Sequence, residues 1–238
     1  MSTRFYPNNE RGTSDIGWLS SKFSFSFADF YDPDLEEFGT LRVLNDDTIT
    51  PNAGFPPHSH RDMEIITIPI RGALKHEDSM GHSEVVSAGE VQVMSAGSGV
   101  MHSEFNASAT EPVSLFQIWI QTAVRGVTPR YDQKRFDWQS APHNQLQLIV
   151  SNDARDESLM IHQNAFFSIG IYDAAQKGTY KLQNASNGIY LFVIDGRIHV
   201  GDQELTSRDA LGVTDASQID FETIALDTQI LLIEVPMT

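Results

Sequence analysis

The chain has 238 residues, no cysteine and a formal charge of −16, which excludes a disulfide framework, thiolate metal sites and a cysteine nucleophile. Its length fits one large domain or two of about 100 residues each, either able to bury a core. So acidic a chain opposes direct contact with DNA or RNA, where each phosphate wants a Lys or Arg, while 14 Phe, 6 Tyr and 3 Trp in a 40% apolar composition oppose disorder.

The start, MSTRFYPNNERG, has no basic head followed by an apolar stretch, so no signal peptide is expected. No apolar run approaches the roughly 20 residues that span a bilayer, and the cysteine-free composition suits a reducing compartment. The expectation is a cytoplasmic monomer without a membrane partner. Short β-like runs then follow one another: LRVL (41–44), MEIITIPI (63–70), VQVM (91–94), VSLFQIWIQ (113–121), LQLIV (146–150), FFSIGIY (166–172), IYLFVI (189–194), RIHV (197–200) and QILLIEV (229–235). Gly, Asp, Asn and Ser clusters punctuate them as turns do. EDSMGHSE (77–84) reads as a hairpin turn. In VSLFQIWIQ, Leu115, Gln117, Trp119 and Gln121 share one face, and Phe116, Ile118 and Ile120 the other. No stretch sustains a 3.6-residue period, so the class is all-β, sandwich or barrel.

An internal comparison sharpens this. GFPPHSHRDMEIITIPIRG (54–72) lies over GTYKLQNASNGIYLFVIDG (178–196) without a gap, glycines coinciding at both ends and the apolar runs nearly in step. Two copies of one β-unit are expected, joined within TPRYDQKRFDWQSAPHN (128–144), giving domains 1–132 and 133–238. His58 then aligns with Leu182, His60 with Asn184 and Glu64 with Gly188. The chemistry is expected in the first half, which alone keeps the imidazoles.

On a strand, residues i and i+2 point the same way, so His58 and His60 can converge on one ion while Ser59 faces oppositely. His102 and Glu104 repeat that spacing after Gly97 and Gly99. Three neutral nitrogens and one carboxylate suit Fe(II), and also Mn, Co, Ni, Cu or Zn. Four ligands on an octahedral ion leave open positions, as a reaction requires, and a net charge near +1 welcomes an anion. One H-x-H alone is weak; two such pairs in adjoining runs make a metal site the leading reading. Glu64 shares parity with the pair but lies roughly 12 Å farther along a regular strand, and reads as a supporting carboxylate. His76 and His82, flanking EDSMG, read as hairpin-surface or hydrogen-bonding residues, and His143, His162 and His199 as structural. GSG (97–99) lacks the strand–loop–helix setting of a phosphate loop. Gln117 and Trp119 sit on a core strand whose inner face is a candidate pocket wall.

At HSHRDMEIIT, HEDSMG, AGEVQVMSAGSGVMHSE, GWLSSKFSFSFADFYDP and LRVLNDD the sequence resembles the cupin superfamily and, within it, the pirin family, over most of residues 10–140 and more loosely beyond. The usual proline of the second cupin motif is Ser95 here, and the gap between Gly54 and the H-x-H is short. The resemblance implies a bicupin: two face-to-face β-barrels of jelly-roll type, with a metal only in the N-terminal one. The family's ligands fall on His58, His60, His102 and Glu104, with iron(II) the expected ion. It further implies a metal-dependent dioxygenase that takes dioxygen and a flavonol such as quercetin, opens the heterocycle and releases carbon monoxide, with Glu104 as general base. Two alternatives stand beside it. One is a metal- or redox-sensing interaction protein, as the vertebrate pirin is described. The other is a different cupin reaction on a sugar or small acid. A broad apolar slot would favour the flavonol, and a nearby Arg61, Arg71 or Lys75 the acid.

Overall fold

The structure is a computed structural model that describes residues 1–136 and 138–237. The first half contributes β1 (Ser2–Tyr6), β2 (Gly12–Asp15), β3 (Leu19–Phe23), β4 (Leu41–Ile49), β5 (Gly54–His60), β6 (Met63–Arg71), β7 (Ala73–Asp78), β8 (Ser83–Ser87), β9 (Glu90–Ser95), β10 (Val100–Asn106), β11 (Val113–Gln121) and β12 (Arg130–Arg135). The second adds β13 (Gln147–Ser151), β14 (Leu159–Met160), β15 (Phe166–Tyr172), β16 (Lys177–Lys181), β17 (Asn187–Asp195), β18 (Arg197–Val200), β19 (Gln203–Thr206), β20 (Ala210–Thr214), β21 (Gln218–Thr223) and β22 (Thr228–Pro236). The all-β expectation holds. Among the described residues no helix is long and apolar enough to cross a membrane.

Each half builds a seven-stranded and a four-stranded sheet. The first pair runs β12-β9-β6-β11-β4-β3-β2 and β5-β10-β7-β8; the second runs β1-β20-β17-β22-β15-β13-β14 and β16-β21-β18-β19. Replacing β5 to β11 by β16 to β22 turns one strand order into the other over the shared positions, as an internal duplication requires. The glycine pairs found in sequence have matching physical reasons. A Cβ on Gly54 would lie 2.3 Å from the Glu104 carbonyl oxygen, and one on Gly178 would lie 2.1 Å from the Phe221 ring. Gly72 and Gly196 both turn the chain at positive φ (77° and 94°), where glycine meets no steric penalty. Chain order and sheet membership part company at the ends. β1 pairs with β20 of the second unit (Tyr6 opposite Ala210), and the expected division at 132/133 falls inside β12, which pairs with β9 through Arg135 and Glu90.

Strand alternation assigns each face. In β17, Tyr190, Phe192 and Ile194 enter a core shared by the two large sheets, whereas Ile189, Leu191 and Val193 fill the second barrel. Buried on both sides, β17 reads as a continuous apolar run. In β11, Phe116, Ile118 and Ile120 join the shared core, and Phe116 meets Phe192 edge-on at 5.3 Å. The barrel interiors differ. The second is packed by Tyr172, Tyr180, Ile198, Leu205, Phe221 and their neighbours. In the first, apolar packing is limited to small clusters around Leu74 and around Met94, and Asn45, Asp47, Thr67, Gln92 and Gln117 are buried as well.

Candidate metal centre

The polar interior comes from three neighbouring strands of the small sheet. β5 is its edge strand, where prolines are tolerated, and Pro56 and Pro57 fall where the β5–β10 register shifts. Across β5 and β10, His102 stands opposite His58, and Val100 opposite His60. The register then shifts between His102 and Glu104, a bulge that puts Glu104 opposite Phe55. On the other side of β10, β7 sets His76 opposite Glu104 and Asp78 opposite His102.

These pairings bring three of the expected residues into one group. Ring centroids of His58, His60 and His102 are separated by 4.4–4.9 Å, and one ring nitrogen from each lies within 4.8 Å of the others. His58 Nδ1–H donates to the Pro56 carbonyl at 2.9 Å, leaving Nε2 free. Nε2 of His60 and of His102 are buried without a hydrogen-bond partner, a condition that costs about 1–3 kcal/mol per group and calls for a bound partner. Burial, reinforced by His58, lowers the pKa of His60 to about 4. Burial again, then His58, His60 and His76, takes His102 to about 2. Both rings are therefore neutral at pH 7, with lone pairs available to a cation. Three converging imidazoles fit a divalent transition metal.

Glu104 is placed differently. It gathers with His102 and His76 rather than with all three imidazoles. Gln117 Nε2 donates to its two oxygens at 3.1 and 2.9 Å, and Thr67 Oγ1 donates to Gln117 Oε1 at 3.0 Å, holding the carboxylate on the β11 side. Burial pushes its pKa up to about 7 against the opposing hydrogen bonds from Gln117 and Thr67. Glu64 is fully buried, accepts from Ser95 Oγ at 2.6 Å, and belongs to none of the donor groups.

Of the two readings of His76, hairpin surface or hydrogen-bonding, only the second holds: its Nε2 lies 3.2 Å from Asp78 Oδ2. β7 and β8 do form the hairpin, but His76 and Asp78 both point inward from β7 and are fully buried. The signal was present: H-x-D at 76 and 78 has the same i, i+2 spacing as the other two pairs. Half-exposed His82 hydrogen-bonds to Asp78 at 2.9 Å, and His143 pairs with Asp173 at 2.9 Å near Asp227, on the second unit's surface. Asp47 of β4 was missed too. Burial, helped by Asp46 and Glu104 and opposed by Ser21, pushes its pKa up to about 7. No local pattern marks it, because its burial depends on distant strands.

A cavity of about 320 Å³ opens beside the imidazoles, walled by Ile16, Leu19, Phe23, Phe27, Phe55 and Trp119, with Asn45, Asp47, Gln117, His58, His60 and Glu104 on its lining. Trp119 meets the His60 ring edge-on at 4.9 Å and the Phe27 ring at 5.5 Å. No Lys or Arg is among its described lining residues. Arg71 pairs with Glu111 and Lys75 with Glu77, both at exposed positions.

Two facing β-barrels, one packed solid and one holding histidines beside a cavity, define a bicupin. The pirin family model matches residues 5–120, and that of the quercetinase C-terminal cupin domain matches residues 148–235. The chain is 40% identical over 228 residues to a quercetin 2,3-dioxygenase of Escherichia coli (strain K12), covering 96% of each, and 39% identical to a pirin-like protein of Caulobacter vibrioides over 96% and 97%. The solved structure of the bacterial pirin YhhW of Escherichia coli, in complex with nickel(II), matches with a TM-score of 0.93 and 38% identity over 100% of both chains. The chain belongs to the pirin family of the cupin superfamily.

Proposed function

We propose that the protein is a metal-dependent dioxygenase that opens the heterocyclic ring of flavonols such as quercetin with dioxygen and releases carbon monoxide. In this reading His58, His60, His102 and Glu104 hold one divalent ion, iron(II) first among the candidates. The observation that carries it is the pairing of neutral imidazoles with an apolar cavity of about 320 Å³ whose described lining has no cation. A small-acid substrate would call for a buried Arg or Lys. A planar polyphenol instead matches walls of Phe23, Phe27, Phe55 and Trp119, in a volume at the low end of the usual ligand-site range, about 300–1,000 Å³.

Bound there, a divalent ion would supply Lewis acidity that lowers the pKa of the flavonol 3-hydroxyl. The remaining tasks fall to the chain. Glu104, whose pKa burial raises to about 7 in the metal-free chain, is the carboxylate placed to accept the hydroxyl proton. Gln117 orients that carboxylate through two contacts. The aromatic walls hold the ligand ring and keep bulk water from the reacting carbons. Asn45 and Asp47 bring polar side chains of the β4 wall to the cavity lining, where the phenolic hydroxyls of a ligand would lie.

The test is to load the chain with each candidate metal, add quercetin without oxygen, and then admit oxygen. A shifted flavonol absorption followed by oxygen-dependent carbon monoxide is expected. Glu104→Gln should bind the metal more weakly and, when saturated with it, lose turnover; unchanged turnover at saturation would remove Glu104 from the mechanism. Loaded protein that neither shifts the flavonol spectrum nor releases carbon monoxide would turn the reading toward metal-dependent partner binding.

A further inference from the structure

Behind His102, on the side away from His58 and His60, lies a second buried imidazole backed by a buried carboxylate. His76 Nδ1 is 3.5 Å from His102 Nδ1, and His76 Nε2 is 3.2 Å from Asp78 Oδ2. Asp78 is tied on its remaining sites: its Oδ1 accepts the backbone N–H groups of Met80 (2.8 Å) and His82 (3.1 Å), and His82 Nδ1 lies 2.9 Å from Oδ2. The Tyr131 ring from β12 stacks on both imidazoles, 4.7 Å from His76 and 4.8 Å from His82. Nothing in the proposed reaction uses these groups.

Proton counting fixes the direction of the chain. An ionised carboxylate only accepts, so His76 carries its proton on Nε2 toward Asp78, and its lone pair is on Nδ1. That lone pair faces His102 Nδ1. A neutral imidazole has one lone pair and one N–H, so His102 can serve only one of the two donor groups it borders. The group with His58 and His60 already contains the orphaned Nε2 of His60. His102 therefore directs Nε2 there and donates Nδ1–H to His76.

Resting on the metal-centre reading above, we infer that His76 and Asp78 are positioning residues that fix the His102 tautomer and make His102 the strongest donor of the three imidazoles. His58 leans on a neutral backbone carbonyl, whereas His102 leans on a carboxylate relayed through one ring. Partners of this kind hold ligand orientation and raise ligand basicity, and their loss lowers metal affinity by about ten- to hundred-fold.

The experiment uses the full chain in wild-type, His76→Phe, His76→Gln and Asp78→Asn forms. The readouts are nickel(II) affinity and stoichiometry against a competing chelator, and the iron(III)/iron(II) midpoint potential. His76→Phe keeps a ring under Tyr131 but removes both nitrogens; it should bind nickel about ten- to hundred-fold more weakly and raise the potential, since a poorer donor favours the reduced ion. Gln at 76 can accept from His102 and donate to Asp78, so it should recover most of both. Asp78→Asn should move both readouts in the direction of His76→Phe. Affinity and potential of His76→Phe matching wild type would overturn the inference. So would two ions per wild-type chain with one lost in His76→Phe, because His76 would then be a ligand. A wild-type chain that takes no metal would overturn the metal centre and this inference together. Should a variant not fold, imidazole 15N shifts of the metal-free wild-type chain decide alone: His102 protonated on Nδ1 supports the chain of contacts, and on Nε2 refutes it.

Discussion

Gln117 is the most informative residue to perturb, because it separates the role of Glu104 from that of the imidazoles. Gln117→Met keeps the side chain's length and fills the same space, but removes the Nε2 donor that sits 3.1 and 2.9 Å from the Glu104 oxygens. One hydrogen bond to a charged group contributes about 1.5–3 kcal/mol, and one pKa unit corresponds to about 1.4 kcal/mol. The Glu104 pKa, already about 7 from burial, should therefore rise by roughly one to two units. With Glu104 as a ligand, as proposed, metal binding draws on the ionised carboxylate and releases a proton wherever Glu104 is still protonated. At pH 7 about half of the wild-type chains hold Glu104 ionised, against roughly one in ten to one in a hundred of the variant, so nickel(II) should bind about five- to fifty-fold more weakly. By pH 9 most of that deficit should vanish. The assay is chelator competition from pH 5.5 to 9, alongside a 13C titration of the Glu104 carboxyl in the metal-free chain. An affinity loss of equal size at every pH would refute the reasoning, since it would mean that the substitution distorted the imidazoles instead. Thr67 loses its acceptor on Gln117 in this variant, which costs about 1 kcal/mol of stability and does not vary with pH.

In the metal-free chain, Glu104 keeps its proton up to about pH 7 when folded and only to its ordinary value of 4.5 when unfolded. Wild type should therefore lose up to about 3 kcal/mol relative to Glu104→Gln as pH rises across that window. Denaturant midpoints of the two proteins that run parallel from pH 4.5 to 8 would contradict this. Trp119→Leu removes the ring that meets His60 and Phe27 and walls the cavity. It should raise the quercetin KM about two- to tenfold, as the loss of a 0.5–1.5 kcal/mol aromatic contact implies, with a smaller change in kcat. Phe192→Ala empties the centre of the core shared by both barrels. It should cost about 3–5 kcal/mol and lower a single urea transition seen alike by near- and far-ultraviolet circular dichroism.

Much of the fold was legible because strand periodicity is local. Each of the nine β-like runs named in the sequence overlaps a strand, and the faces assigned within 113–121 are those observed: Phe116, Ile118 and Ile120 go to the shared core, while Gln117 and Trp119 face the cavity. The gap-free overlay of 54–72 on 178–196 worked because a Cβ at either first glycine would collide, with the Glu104 carbonyl oxygen at Gly54 and with the Phe221 ring at Gly178. The pairing of β1 with β20 was not legible. Ser2–Tyr6 carries no sign of its partner, which lies 204 residues or more away in the chain.

The site divided along the same line. Two residues apart on a strand is a statement about one face, so His58 with His60, and His102 with Glu104, could be paired from spacing alone. Spacing cannot say how far a side chain reaches once it arrives. Glu104 shares a face with His102, yet Gln117 draws its carboxylate toward β11, and that residue lies 13 positions downstream. His76 obeyed the spacing rule as well as any ligand, but its place beside a turn favoured a surface or hydrogen-bonding reading. Tyr131, brought over the hairpin by β12, stacks on its ring. The second barrel isolates the cause. It has the same strand order over the shared positions, but Leu182 and Asn184 align in sequence with His58 and His60, and Leu191, Val193, Ile230 and Leu232 fill its inside. A barrel interior of this size can therefore close as a core or stay open as a site. The inward-facing residues decide which, because buried imidazoles and carboxylates are costly to leave unpaired and so demand a ligand that aliphatic side chains do not.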